Sequence, residues 1–121
     1  MGWAQSLEPD EFFCDGHHLV IMPDGSNDDF ESAVADYYVH NILHRPDAVM
    51  IDSQGCDRDY RILKDGFLEV TYFSCGVEYD DGTIWEEKHF KTIGKIIEHD
   101  GGVAFKVESL EEVNTQNKHS F

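Results

Sequence analysis

Asp36, His40 and His44 follow one another at a spacing of four. On an α-helix that spacing lines them along one face, where two imidazoles a turn apart can share a metal ion if a third ligand approaches. This is the one metal-like stripe in the chain, but no glutamate follows His40 as it does in the zinc-protease helix. The polar side of any amphipathic helix produces the same pattern. Cys14 stands three residues before His17 and four before His18, a spacing that suits one half of a zinc knuckle or a Cys-His nucleophile pair. Cys56 and Cys75 lie too far away in sequence to supply the second half. Glu78, Asp80, Asp81, Glu86 and Glu87 crowd another short stretch around Trp85. Paired carboxylates are what calcium binding or glycoside hydrolysis requires, yet the Asp-x-Asp-x-Asp-Gly alternation of a calcium loop is missing and the acids flank a turn, not an apolar cleft. Gly101-Gly102 is followed by no Lys-Ser/Thr pair, and no dinucleotide fingerprint occurs. The expectation is therefore no catalytic residue, no metal and no cofactor.

The elements that must carry these residues are legible from turn chemistry. Asp-Gly occurs five times, at positions 15, 24, 65, 81 and 100, and this dipeptide accepts the positive φ angles of tight turns. Around Asp65-Gly66 the runs 59–64 and 67–73 read as a hairpin. A two-residue turn there places Leu63 opposite Leu68 and Arg61 opposite Val70, with Leu63, Leu68, Val70 and Tyr72 inward and Tyr60, Ile62, Glu69 and Thr71 on a half-wet face. Glu11 to Cys14 and His17 to Met22 read as an earlier hairpin through Asp15-Gly16. Asn27 or Asp28 caps a helix from about Asp28 to about His44, whose apolar stripe is Phe30, Val34, Tyr38 and Ile42, broadened by Ala35, Val39 and Leu43. The Arg45-Pro46 step ends it. Ala48 to Ile51 is a short strand and 52–57 a loop. Ser74 to Gly76 is a bend or bulge, and strands continue over 77–79, 83–90, 92–98 and 103–107. The fold class expected is α+β: one amphipathic helix on a mainly antiparallel meander sheet of about five to seven strands. Residues 1–110 are expected to form one domain, and 111–121 a polar, frayed tail.

Charge is the strongest clue to function. The chain holds 25 acids against 9 Lys and Arg, a formal net charge of −16. Residues 1–57 hold 12 of the acids and a single base, Arg45. Such a field repels nucleic acid and anionic lipid and steers basic protein surfaces toward itself, although it also serves solubility. An odd set of three cysteines fits no secreted disulfide framework and suits a reducing cytoplasm. The first six residues match the bare myristoylation pattern, but Glu8, Asp10 and Glu11 follow where a polybasic second signal belongs.

These observations favour a binding protein over an enzyme. Its acids, with Asp24, Asp28, Asp29, Glu31 and Asp36 on one side and Glu78, Asp80, Asp81, Glu86 and Glu87 on the other, would stand in for phosphates on a basic, nucleic-acid-handling surface of another protein, with Trp85 as the anchor. An immunity protein against a nuclease toxin and a phage-encoded inhibitor of a nuclease or CRISPR complex meet that description equally well. The alternatives are a small metal-dependent hydrolase built on Asp36, His40 and His44, and an acidic structural subunit.

Overall fold

The structure is a computed structural model, and it describes residues 8–14, 19–54 and 56–113. A short helix α1 (Pro9–Cys14) precedes strands β1 (Val20–Ile21) and β2 (Asn27–Asp28) and the main helix α2 (Phe30–Tyr37), which widens into a π-helical turn over Tyr38–Ile42. Then come β3 (Met50–Ser53), β4 (Cys56–Ile62), β5 (Leu68–Tyr79), β6 (Ile84–His99) and β7 (Gly102–Val113). They form one seven-stranded sheet in the order β2-β1-β7-β6-β5-β3, with β4 also on β5. Only the β1–β7 pairing is parallel. The expected α+β class, one amphipathic helix on a mainly antiparallel sheet, holds.

Turn chemistry drives the meander. Gly25, Gly66, Gly82 and Gly101, each after an aspartate, all have positive φ. Gly94 matters for another reason: β6 and β7 approach so closely that an added Cβ would stand 2.1 Å from the Lys106 carbonyl oxygen. A bulge in the β6–β7 pairing falls beside it.

One face of the sheet is covered by α1 and α2. Phe30, Val34, Tyr38 and Val39 are buried there with Phe12 and Phe13 of α1 and with Leu68, Val70, Tyr72, Phe90 and Phe105 of the sheet. Aromatic rings run through this layer in contact, from Tyr60 and Phe13 (5.2 Å) through Phe30 (5.2 Å) and Tyr72 (5.4 Å) to Phe90 (5.8 Å), Tyr38 (5.3 Å) and Trp85 (5.7 Å). Each such pair adds about 0.5–1.5 kcal/mol beyond area burial.

Several expectations are corrected. Residues Pro9–Cys14 form a helix, because a run of two phenylalanines between polar residues is too short to fix a strand period. The Asp15-Gly16 turn, His17 and His18 lie outside the described residues, as does the Cys14 side chain. Asp29, one residue after the expected caps, closes the helix start by accepting from Ser32 N at 2.9 Å. The helix ends before His44, which takes φ 59. At Asp65-Gly66 the loop is three residues long: Leu63 N donates to Phe67 O, and Asp65 and Gly66 both have positive φ. The register therefore slips by one, pairing Ile62 with Leu68, Arg61 with Glu69 and Tyr60 with Val70. Since side chains alternate, the slip turns every β4 residue over. Tyr60 moves to the core face and Arg61 to the open one. The 52–57 loop is replaced by the end of β3 and the start of β4, two segments of one edge strand along β5. Strand β7 extends to Val113, three residues into the stretch read as a frayed tail; residues 114–121 are outside the description.

The expected bend at Ser74 to Gly76 has a specific form. Cα pairing of β5 with β6 keeps one register from Leu68↔Gly94 to Glu78↔Ile84 but skips the position where Cys75 would face Glu87. Glu87 there has φ 50. On the Leu68 side of this point Tyr72, Ser74 and Phe90 are buried; beyond it Val77, Tyr79 and Trp85 are. One extra residue in each strand thus exchanges the two faces of the hairpin while leaving the register intact.

Candidate protein-binding surface

The acidic side chains of the first half are held by short-range geometry. Asp24 accepts from Ser26 N (2.9 Å) and Ser26 Oγ (2.7 Å), and Asn41 Nδ2 reaches it at 3.4 Å. These bonds, the Ser26 hydroxyl first, lower its pKa from the ordinary aspartate value. Asp28 accepts from Asp29 N at 2.8 Å. Asp24, Asp28, Asp29 and Glu31 are all exposed, and Glu31 reaches Arg58 at 3.9 Å. Asp28, Asp29 and Glu31 surround the first turn of α2, where carboxylates are stabilised by the helix dipole.

Asp36 does not belong with them. It is half-buried and accepts from the Tyr79 hydroxyl at 3.0 Å. Burial raises its pKa, and the Tyr79 bond only partly offsets this. Burial, and then the Asp36 charge, push the Tyr79 phenol well above its ordinary range. The pair is a structural link between α2 and β5. His40 points elsewhere, with Nε2 at 2.8 Å from Ala48 O. His44 is exposed beyond the helix end. The wider π-helical turn breaks the four-residue repeat that would have aligned the three. Among the described residues no group of three His, Cys, Asp or Glu side chains is placed to hold a metal ion.

The hairpin carboxylates are brought to the helix end by backbone and side-chain bonds. Asp80 N donates to Val49 O (2.8 Å), and Asp80 Oδ1 accepts from Val49 N (2.9 Å). Asp81 accepts from Thr83 N at 2.9 Å, and Arg45 lies 3.7 Å away. Glu78, Glu86 and Glu87 are exposed on the same hairpin. Trp85 is not: only 6% of it is exposed, and its ring packs on Tyr38 and Phe90. The expected anchor is a core residue, because the face exchange at Cys75 and Glu87 turns it inward and turns its neighbour Ile84 outward.

Ile84 is the residue that sequence reasoning missed. It is 61% exposed and lines two hollows. One, of about 450 Å³, runs beside Asp52, Glu78 and Glu86; the other, of about 380 Å³, lies between Leu43, Arg45 and Asp81. The available signal was the run Ala48 to Ile51: in an edge strand of period two, four consecutive apolar residues cannot all face inward. Val49 and Ile51 are indeed exposed.

The chain matches no protein family, no curated protein and no solved structure. No helix among the described residues is long and apolar enough to cross a membrane.

Proposed function

We propose that this chain is a protein-binding inhibitor, without turnover of its own, that works in a reducing cytoplasm by occupying a basic, nucleic-acid-handling surface of another protein. The observation that carries the reading is the distribution of unpaired charge. Of the described Arg and Lys, Arg45, Arg58, Arg61, Lys88 and Lys91 each lie within ion-pair distance of an acid, while Lys64, Lys95 and Lys106 do not. Asp24, Asp28 and Asp29 are exposed and have no ion-pair partner among the described residues. An immunity protein to a nuclease toxin and an inhibitor of a nuclease or CRISPR complex both use such a surface, and both fit.

Exposed charges around an interface act mainly on encounter, so charge reversal at Asp24, Asp28 and Asp29 slows association with the partner more than it speeds dissociation. Once the partner is identified, two measurements test the proposal. Raising salt from roughly 50 to 500 mM shortens the screening length to several ångströms and weakens the complex, and added DNA or RNA displaces the inhibitor. An affinity indifferent to salt, or a complex that nucleic acid leaves intact, overturns the mimic reading.

A further inference from the structure

Six large apolar side chains among the described residues are exposed, and Leu43 at the end of the π-helical turn, Val49 and Ile51 at β3 and Ile84 after the β5–β6 turn lie on segments joined by the Asp80–Val49 bonds and the Arg45–Asp81 pair, with Ile42 preceding Leu43 in the chain. The sixth, Ile62, stands opposite Leu68 at the far end of β5. Ile84 is shared by two hollows, the one that holds Leu43 and the groove beside Asp52. A concentration of this kind, rimmed by polar groups, is what a contact surface looks like.

The rim is mainly acidic. Asp52 is paired directly with Glu78 across β3 and β5, an arrangement of like charges that costs stability. Neither has an ion-pair partner among the described residues, and Glu86 lines the same groove. The base on this surface, Arg45, is already drawn to Asp81. A cation placed over Asp52 and Glu78 would relieve their repulsion. A second copy of this chain would add to it, since each copy carries −16.

We infer that the saddle at Ile84 is the centre of the binding surface and takes a segment of the partner protein in which Lys or Arg alternates with a large aliphatic side chain. The aliphatic group covers Ile84 and Ile51, and the cations meet Asp52, Glu78 and Glu86. This rests on the binding reading above and adds what that reading lacks: an apolar anchor in place of the buried Trp85, and a contact centre at the hairpin end that the charge at the first turn of α2 serves by steering.

Two synthetic peptides serve as probes, one repeating Lys-Leu-Lys-Ser and one repeating Lys-Ser-Lys-Ser, with affinity measured by calorimetry and location by amide shifts in NMR. Covering a large aliphatic side chain corresponds to roughly tenfold or more in affinity, so the leucine probe binds tighter by that factor and shifts amides of β3 and the 80–86 stretch. Ile84→Ser and Ile51→Ser each reduce it to the level of the serine probe, while Ile62→Ser leaves it unchanged. Ile84→Thr, which keeps the β-branch, is the substitute if the serine variant melts early. Equal affinity of the two probes, or an equal loss with Ile62→Ser, overturns this inference and leaves the acidic-surface reading standing. Failure of both probes to bind at low salt removes both. Concentration-dependent dimerisation abolished by Ile84→Ser identifies a second copy as the occupant and also overturns it.

Discussion

The two ends of α2 are built on opposite terms. At its start, Asp29 caps the helix and Phe30 enters the ring cluster. Arg58 stands over the rings of Phe13 and Phe30, at 5.7 and 5.9 Å, donates to Phe13 O at 3.3 Å and reaches Glu31. At its end the helix loosens into the π-helical turn, Ile42 and Leu43 emerge into solvent, and His44 turns back with a positive φ. One end buries its apolar surface in the ring cluster and leaves only polar groups outside. The other leaves exposed apolar surface, a like-charge pair and a strained residue together, conditions that natural proteins retain mainly at contact sites. The difference argues that stability is concentrated where Phe30 lies and recognition where Ile84 lies.

Charge placed at each end breaks or sharpens this contrast most strongly. Val34 is fully buried one turn into α2, and an unpaired carboxylate there costs several kcal/mol, a large part of a total stability of about 5–15 kcal/mol. Val34→Asp is expected to abolish the cooperative thermal transition. Leu43→Asp, at the part-exposed C-cap, is expected to cost only about 1 kcal/mol in urea unfolding, from the helix dipole and the covered part of the side chain. Equal losses for the two would erase the distinction between the ends.

How much of this was readable in advance depends on the range of the interaction. The helix stripe from Phe30 to Tyr38 and the Asp-Gly turns at positions 24, 65, 81 and 100 are local, and both are found in the structure. Registers were not readable, because they hang on single residues. Asp65 takes a left-handed conformation and lengthens one loop, which turns β4 over. Cys75 and Glu87 add one residue to each strand of one hairpin, which sends Trp85 inward and Ile84 outward. Alternation carried straight through from Tyr72 gives the reverse assignment for both. Counting acids located charge along the chain but not its environment: nothing in the sequence says that Asp36 would meet the Tyr79 hydroxyl from a strand 43 residues away.

That link between the middle of α2 and β5 sets the next expectation, a pH dependence. Burial raises the Asp36 pKa, so its protonated form is favoured more in the folded chain than in the unfolded one. Its ionised form therefore opposes folding near neutral pH, and the opposition fades as pH falls through the raised folded value toward the ordinary one near about 4. The pKa of Tyr79 is raised as well, so its contribution is present below the ordinary tyrosine value of about 10 and is lost as pH rises beyond it. Stability is expected to rise as pH falls from neutral toward the ordinary carboxylate value and to decline above about pH 10. Asp36→Asn flattens the acid side; whatever slope survives reports the general repulsion of a chain at −16. Tyr79→Phe lessens the alkaline decline, to which Tyr38, raised by burial, and Lys88, raised by its bond to Glu112, also contribute, and it costs about 1–3 kcal/mol at pH 7 through the lost hydrogen bond. An alkaline limb unchanged in Tyr79→Phe would show that another group controls it.

The smallest effect has the opposite sign. His44 follows the last helical turn with φ 59, while Arg45 N reaches back to Val39 O at 3.0 Å to close the helix end. That is the position where helices favour glycine, because a side chain in the left-handed region costs about 1–2 kcal/mol, against which glycine gives back part in unfolded-chain entropy. His44 is exposed and lies past the helix, so little packing is lost with it. His44→Gly is expected to stabilise the chain by about 0.5–1 kcal/mol in urea unfolding, with an unchanged m-value. Because this strain sits beside Leu43 and Arg45, the same variant also tests whether the loosened end serves binding. Unchanged affinity for the leucine peptide assigns the strain to the helix end alone, and a weaker complex in a more stable protein assigns it to recognition.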